Sequence, residues 1–241
     1  MIILTGFYNA ETYIETCLYT IMHQTYKDFT CYITHDLSTD NSPELVKKFI
    51  KDDPRFILVS DNSKKLYQAG NFDTTIRNNP NILDNDICIE VDGDDWLPDD
   101  EVFSRINKVY EDQDVWIANG SFKYSSGSFG FASRQSNFKY LRQQQFTASH
   151  IRTWRAFLWR AIKESDLKDE FGNYWQWSGD LCFMYPMLEM AGEEHYRFMQ
   201  EVNYIYNETN PINEHKIDMS MVTSFASRIR NKTPYERLIR N

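Results

Sequence analysis

Long apolar runs are missing from this sequence: no window reaches the roughly 18 apolar residues of a membrane span. The N-terminus also lacks the charged start and apolar stretch of a secretory signal. None of the four cysteines (Cys17, Cys31, Cys88 and Cys182) stands at the Cys-x-x-Cys spacing that zinc ribbons and dithiol redox centres use. These absences predict a cytoplasmic protein with no membrane span, whose cysteines are reduced and buried.

Positive charge is also scarce. The 241 residues include 26 Lys and Arg against 35 Asp and Glu, which gives a net charge of −9. Because nucleic acid is bound by a basic face that displaces its counterions, this balance excludes general affinity for nucleic acid. A small ligand that carries phosphate therefore needs a local cation, and a bound metal ion is the expected source.

What the first half of the chain does contain is an alternation of short apolar strands and amphipathic helices. The predicted strands are residues 2–5, 31–34, 56–59 and 87–91. Further along the chain, helices are predicted near residues 154–162 and 181–190. This alternation is typical of a mainly parallel sheet covered by helices on both faces, so an α/β fold is predicted.

Polar residues follow three of these strands, where open α/β sheets bind their ligands. Tyr8 follows the first strand, Asp36 the second, and Asp92-Gly93-Asp94-Asp95 the fourth. Carboxylates spaced as Asp-x-Asp on a tight turn converge on a hard cation such as Mg²⁺ or Mn²⁺, which also takes oxygens from a diphosphate. The alternative for this run is an acidic surface turn.

Four segments, in their order and spacing, resemble glycosyltransferase family 2 with the GT-A fold. These segments, which cover roughly the first half of the chain, are residues 7–10, 17–21 together with 24–29, 36–42 and 92–98. The resemblance implies a Rossmann-like, mostly parallel central sheet with a smaller acceptor-side portion towards the C-terminus. One departure concerns Leu37, since the family usually has glycine after the aspartate that contacts the nucleotide.

The resemblance also implies a donor site for a nucleoside diphosphate sugar, with a UDP-sugar as the expected donor. Asp36 resembles the aspartate that hydrogen-bonds the nucleobase or ribose, and Tyr8 and Thr5 line that pocket. Asp92 resembles the carboxylate near the ribose and metal, and Asp94 the metal-binding one. A turn role for Asp36 and core packing for Tyr8 stay open as alternatives.

On the acceptor side, Asp180 resembles the general base that takes a proton from the acceptor hydroxyl in an inverting transfer. His215 is the candidate third metal ligand, and Arg152 is a candidate phosphate clamp. Trp175 and Trp177 are candidates for a platform that stacks on the acceptor sugar. The open alternatives are a helix cap for Asp180, a structural histidine, a surface salt bridge, and core packing of the tryptophans.

The sequence therefore predicts a metal-dependent inverting glycosyltransferase that acts on a saccharide acceptor. We expect one domain over residues 1–217, with its nucleotide-sugar half at 1–119 and its acceptor half at 120–217, and a helical tail at 218–241. One alternative is a non-catalytic nucleotide-sugar or glycan-binding module, which would lack the base or the metal site. A second is a sugar nucleotidyltransferase, but residues 5–8 lack the Gly-rich, basic loop that such enzymes place after the first strand.

Overall fold

The structure is a computed structural model that describes residues 1–59 and 64–240. The strands of this described part are β1 (Ile2–Phe7), β2 (Thr30–His35), β3 (Phe56–Val59), β4 (Ile87–Glu90), β5 (Ile117–Tyr124), β6 (Arg152–Arg155) and β7 (Tyr196–Tyr206). They form one sheet in the order β3-β2-β1-β4-β6-β5-β7. The first four strands in that order run parallel, β6 is antiparallel to β4 and β5, and β7 is parallel to β5.

Helices cover both faces of this sheet. They are α1 (Ile14–Met22), α2 (Ser42–Ile50), α3 (Tyr67–Ile76), α4 (Val102–Tyr110), α5 (Ala156–Ala161), α6 (Gly179–Ala191), α7 (Glu214–Ile217) and α8 (Met219–Arg230). Buried residues of α1, α2 and α4 form one core cluster, and those of α3, α5, α6 and α8 belong to the other. The predicted α/β class is thus confirmed.

The central strand β1 contributes side chains to both core clusters. Ile2 and Leu4 pack with the cluster of α3 and α6, whereas Ile3 and Phe7 pack with that of α1 and α4. This division follows from the pleat, since successive side chains of a strand point to opposite faces. Full burial of one such large apolar side chain stabilises the fold by about 1.5–3 kcal/mol.

Two parts of the fold differ from the sequence-based expectation. The helix predicted near residues 154–162 is preceded by β6, which pairs with β4 and β5 before α5 begins. Helix α3 was not predicted, because its sequence includes Gly70 and two threonines, which are weak helix formers. Gly70 is needed for packing: a Cβ atom there would lie 2.6 Å from the Tyr174 ring.

The C-terminal segment packs back onto the body of the chain. Helix α8 is capped by Asp218, whose carboxylate accepts hydrogen bonds from the Ser220 and Met221 amides. The Ile229 carbonyl accepts a hydrogen bond of 2.8 Å from buried Arg142. Within the described residues, no helix combines the length and apolarity that crossing a bilayer requires.

Candidate active site

A cleft of about 1210 Å³ opens beyond the carboxyl ends of β1, β2 and β4. The predicted site residues that line it are Tyr8, Asp36, Asp92, Asp94, Arg152, Asp180 and His215. They come from β6, α6, α7 and three strand ends, so the fold gathers at one place residues that are far apart in the sequence. Such a crevice is where open α/β sheets bind ligands.

Thr5 does not reach this cleft, and its predicted donor contact is corrected. It lies inside β1 and is fully buried. Its hydroxyl lies 3.7 Å from the Cys31 Sγ on the neighbouring strand. The side chain points into the core because it precedes the carboxyl end of β1 and shares the face of Ile3 and Phe7.

The acidic turn after β4 is held tightly against β1. The Gly93 amide donates a hydrogen bond of 2.9 Å to the Gly6 carbonyl. A Cβ atom at position 93 would lie 2.5 Å from the Phe7 Cβ, a distance that real Cβ atoms do not tolerate. Glycine is therefore required here by close approach of two backbones.

Asp95 supports this turn from below and belongs to the core. One of its carboxylate oxygens accepts from the Tyr204 hydroxyl at 2.7 Å, and the other accepts from the Asn207 amide at 2.7 Å. The residue is only 1% exposed. Because both oxygens are occupied by β7 and its extension, Asp95 acts as a structural link rather than a ligand-binding group.

Asp92 and Asp94 remain on the cleft side of the turn. Gln68 donates to Asp92 at 3.1 Å, and Asn210 donates to Asp94 at 2.7 Å. Burial raises the pKa of both carboxyls, and the charges of Glu90 and Asp94 raise the pKa of Asp92 further. A divalent cation with a preference for oxygen ligands would relieve this repulsion, so the residues present fit Mg²⁺ or Mn²⁺.

The predicted ligand trio of Asp92, Asp94 and His215 is not assembled in this structure. The group of three that converges within the described residues is Glu90, Asp92 and His150, whose ligand atoms lie within 4.8 Å of one another. His215 lies on α7 at the cleft rim, where it is exposed. Of this group, the sequence analysis had singled out Asp92 but not Glu90 or His150.

Both terminal nitrogens of Arg152, the predicted phosphate clamp, contact carboxylates. Its Nη1 donates to Glu90 at 2.7 Å, and its Nη2 donates to Asp180 at 2.6 Å. Burial lowers the pKa of Arg152, but the two carboxylates outweigh this effect and raise it. The guanidinium therefore remains charged and bridges a buried acid to the predicted base.

Asp180 stands in the first turn of α6, with its side chain 26% exposed towards the cleft. The residue that precedes α6, Ser178, has a left-handed φ of 53°. The Ser178 amide donates to the Glu214 carboxylate at 3.0 Å, which connects α7 to the start of α6. The Asp180 Oδ1 accepts from the Leu181 amide in the first turn of α6 at 3.0 Å, and its Oδ2 accepts from Arg152, so the carboxylate is held at the edge of the cleft from two sides.

His150 forms part of the cleft floor. Its ring stacks on Tyr204, with centroids 4.4 Å apart and planes 12° apart. Burial, and then the charge of Arg152, lower the pKa of His150 well below its usual value. The imidazole is therefore neutral at physiological pH, and its buried Nδ1 has no hydrogen-bond partner among the described residues.

At the other end of the cleft, Asp36 organises a loop. Its Oδ1 accepts from the amides of Leu66 at 2.7 Å and Tyr67 at 3.1 Å. Leu37, which stands where the resemblance leads us to expect glycine, adopts a left-handed φ of 60°. The turn geometry of a glycine is therefore retained at a cost of about 1–2 kcal/mol for a side chain in this conformation.

Tyr8 and the tryptophans divide between the cleft and the core. Tyr8 is 38% exposed, and the Lys65 Nζ lies 3.6 Å from its ring centroid. Trp177 lines the cleft and is partly exposed. Trp175 borders the cleft but is only 2% exposed, and its Nε1 donates to the Asp166 carbonyl at 3.1 Å, so most of its ring packs inside the protein.

We expect the thermal stabilisation that Mn²⁺ gives to be larger at pH 8 than at pH 5.5. Burial raises the pKa of the Asp94 carboxyl and raises the pKa of Asp92 well above its usual value. In metal-free protein the stability associated with such raised pKa values is present below the unfolded values and is lost as pH rises through the folded ones. Protons therefore compete with the metal at acid pH. Melting curves with and without Mn²⁺ measure this, and an equal or larger shift at pH 5.5 would contradict it.

The sequence of this chain is similar to those of known glycosyltransferases. The model of the Glycosyl transferase family 2 matches residues 2–167. Glycosyltransferase GlyA from Streptococcus pneumoniae serotype 4 is 34% identical over 131 residues, which are 54% of this chain and 18% of that protein. This chain therefore matches only a small part of that relative's length.

Two solved structures share the fold at low sequence identity. S. aureus TarS 1-349 in complex with UDP-GlcNAc gives a TM-score of 0.65 at 16% identity, over 89% of this chain and 60% of that one. The mannosyltransferase PcManGT from Pyrobaculum calidifontis, in complex with GDP-Man and Mn²⁺, gives a TM-score of 0.59 at 16% identity, over 97% and 65%. These likenesses confirm the predicted GT-A fold. Since the family model matches more than half of its length, the chain belongs to glycosyltransferase family 2.

Proposed function

We propose that this chain transfers a sugar from a UDP-sugar to a hydroxyl of a saccharide acceptor, with inversion at the anomeric carbon. The observation that carries the proposal is the joint placement of Asp92, Asp94 and Asp180 in one cleft, with Asp180 held by Arg152. Two structural neighbours were solved with nucleotide sugars, UDP-GlcNAc in one and GDP-Man in the other, which supports a donor of this class.

The donor nucleotide binds at the end of the cleft formed by Tyr8 and Asp36. The exposed Tyr8 ring offers a stacking face for the base, and Lys65 beside it offers a positive charge. Asp92 and Asp94 would hold Mn²⁺ or Mg²⁺, with His215 at the rim as a further candidate ligand. When bound, the metal offsets charge that develops on the leaving diphosphate.

Asp180 acts as the general base of the transfer. Its carboxylate accepts the proton of the acceptor hydroxyl while that oxygen forms a bond to the anomeric carbon. The bond from the anomeric carbon to the diphosphate oxygen breaks, and the nucleoside diphosphate leaves with the electron pair. Arg152 keeps the carboxylate in one orientation through its 2.6 Å contact.

The acceptor sugar lies on the side of the cleft that residues 120–217 supply. Trp177 precedes α6 and lines the cleft three residues before Asp180, so its partly exposed ring offers a stacking face beside the base. In this arrangement residues 1–119 bind the donor, and residues 218–241 form a tail that supports the acceptor half.

Two measurements on purified protein test this proposal. Calorimetry is expected to detect UDP binding that requires Mn²⁺ or Mg²⁺, and at least one of UDP-GlcNAc, UDP-Glc, UDP-Gal and GDP-Man should release its nucleoside diphosphate. Denatured protein and EDTA-treated protein are the controls. If no nucleotide binds in a metal-dependent way and none of these donors is consumed, the proposed function is wrong.

A further inference from the structure

Glu90 is a charged residue in a place where an apolar one is expected. It is the last residue of β4, it is 0% exposed, and its neighbours Ile89 and Val91 belong to the hydrophobic core. Burying a carboxylate is costly unless it is paired and hydrogen-bonded. A residue retained at such a cost is a candidate for a specific task, and the reaction outlined above gives Glu90 none.

The sheet places Glu90 opposite Arg152. Strands β4 and β6 are antiparallel, with Ile89 paired to Thr153, and the same register continued by one residue sets Glu90 across from Arg152. The Arg152 Nη1 donates to the Glu90 Oε1 at 2.7 Å. Arg152 is itself 4% exposed, so the pair is formed away from water.

The other end of the same guanidinium reaches Asp180. Its Nη2 donates to the Asp180 Oδ2 at 2.6 Å. Because the guanidinium is a rigid planar fork, fixing one nitrogen on Glu90 restricts where the other can point. The Asp180 Oδ1 accepts from the Leu181 amide at 3.0 Å. Without Glu90, Arg152 would be free to turn towards this oxygen as well, which would draw the carboxylate out of the cleft.

Gln68 connects Glu90 to the donor side as well. Its Nε2 donates to the Glu90 Oε1 at 2.8 Å and to the Asp92 Oδ1 at 3.1 Å. One buried carboxylate thus anchors contacts that end on Asp92 in one direction and on Asp180 in the other. The two ends are the acidic turn and the proposed base.

We propose that Glu90 is a positioning residue that orients Asp180 through Arg152. This inference rests on the proposed role of Asp180 as the base. Glu90 touches neither donor nor acceptor; it keeps Arg152 in the orientation that leaves the Asp180 carboxylate facing the acceptor hydroxyl. A displacement of about 1 Å of a catalytic group costs about 100-fold in rate, so the contribution is measurable.

Two variants of Glu90 test the inference. The probes are UDP and whichever of the four nucleotide sugars the wild-type protein consumes in the release assay described under the proposed function. Glu90→Gln keeps an acceptor for Arg152 and is expected to lower kcat about 10-fold, whereas Glu90→Met removes it and should lower kcat about 100-fold. The Kd of UDP with Mn²⁺ should stay within about 3-fold. Loss of Mn²⁺ binding in Glu90→Gln would overturn the inference and make Glu90 a metal ligand instead.

A matched control is available in a second buried ion pair. Glu189 of α6 and Arg142 form contacts of 2.6 and 2.8 Å, and neither residue is among those that line the cleft. Glu189→Gln is expected to lower the melting temperature without changing kcat. If Glu189→Gln slows turnover as much as Glu90→Gln, the effect is one of general stability and the inference fails.

A double-mutant cycle separates positioning from an independent role. In an Asp180→Asn background, Glu90→Met is expected to change the residual turnover less than about 2-fold, because its effect passes through the group already removed. If the double variant lost turnover by the product of the two single-variant losses, the inference would be overturned.

A crystal structure of Glu90→Met gives a readout that needs no turnover. The Arg152 guanidinium and the Asp180 carboxylate are expected to move by more than about 0.5 Å, the tolerance of a productive site. If wild-type protein consumes no donor, the proposed function fails while this comparison still tests positioning. Side chains left unmoved would show that Glu90 does not hold them.

Discussion

Asp180→Asn is expected to lower kcat about 10²–10⁴-fold, the usual contribution of a general base. Asparagine has nearly the same shape but cannot take the proton of the acceptor hydroxyl. UDP binding in the presence of Mn²⁺ should be unchanged, because the Asp180 carboxylate contacts Arg152 and the Leu181 amide rather than the acidic turn after β4. Steady-state kinetics and calorimetry on the same preparation separate the two effects.

The interpretation of Asp180→Asn depends on Arg152, which keeps only Glu90 as a charged partner in that variant. Some loss of stability is expected, since a buried cation loses one of two carboxylates. Turnover is therefore compared at a temperature well below the melting point of the variant. Retained turnover together with weakened UDP binding would reverse the roles that we assign to the two ends of the cleft.

The second large effect is expected for Asp94→Ala, which should abolish metal-dependent binding of the donor. Asp94 faces the cleft from the acidic turn, and burial raises its pKa because the charged carboxylate is poorly solvated there. A bound cation would stabilise that negative charge. Without this carboxylate the diphosphate meets a site that still carries Asp92 and Glu90. We expect calorimetry to show no difference between UDP binding with Mn²⁺ and with EDTA.

Asp100→Ala is the matched control for Asp94→Ala. Asp100 follows the same turn by six residues but is exposed on the surface before α4. The exposed position predicts a change in stability within about 0.5 kcal/mol and normal UDP binding. The metal assignment to Asp94 would be wrong if both variants bound UDP with the same dependence on Mn²⁺.

The features that the sequence predicted best are those that depend on local chain geometry, such as the ends of strands. Asp36, Asp92 and Asp94 stand directly after apolar strands, so their place beyond the sheet follows from strand ends alone. Thr5 was misjudged because the face of a strand on which one residue lies depends on where that strand ends. Composition could not show that Trp175 is almost fully buried whereas Trp177 is partly exposed.

The contacts that organise the cleft could not be predicted from the sequence. Glu90 and Arg152 are 62 residues apart in the chain, and only the pairing of β4 with β6 brings them together. A single sequence gives no register for two antiparallel strands with a long connection. The available signal was the presence of Glu90 in an otherwise apolar strand, which marks a buried charge that must have a partner.

The hydrogen bonds that hold Asp95 come from β7 and the residue after it, so the acidic turn depends on residues near the C-terminal end of the chain. The residues matched by the family model end at 167, whereas Tyr204 and Asn207, which occupy both oxygens of Asp95, come after that point. Asn210, the partner of Asp94, does as well. The acidic turn is thus encoded in the first half of the chain, but the residues that hold its carboxylates come from the last strand and the segment after it.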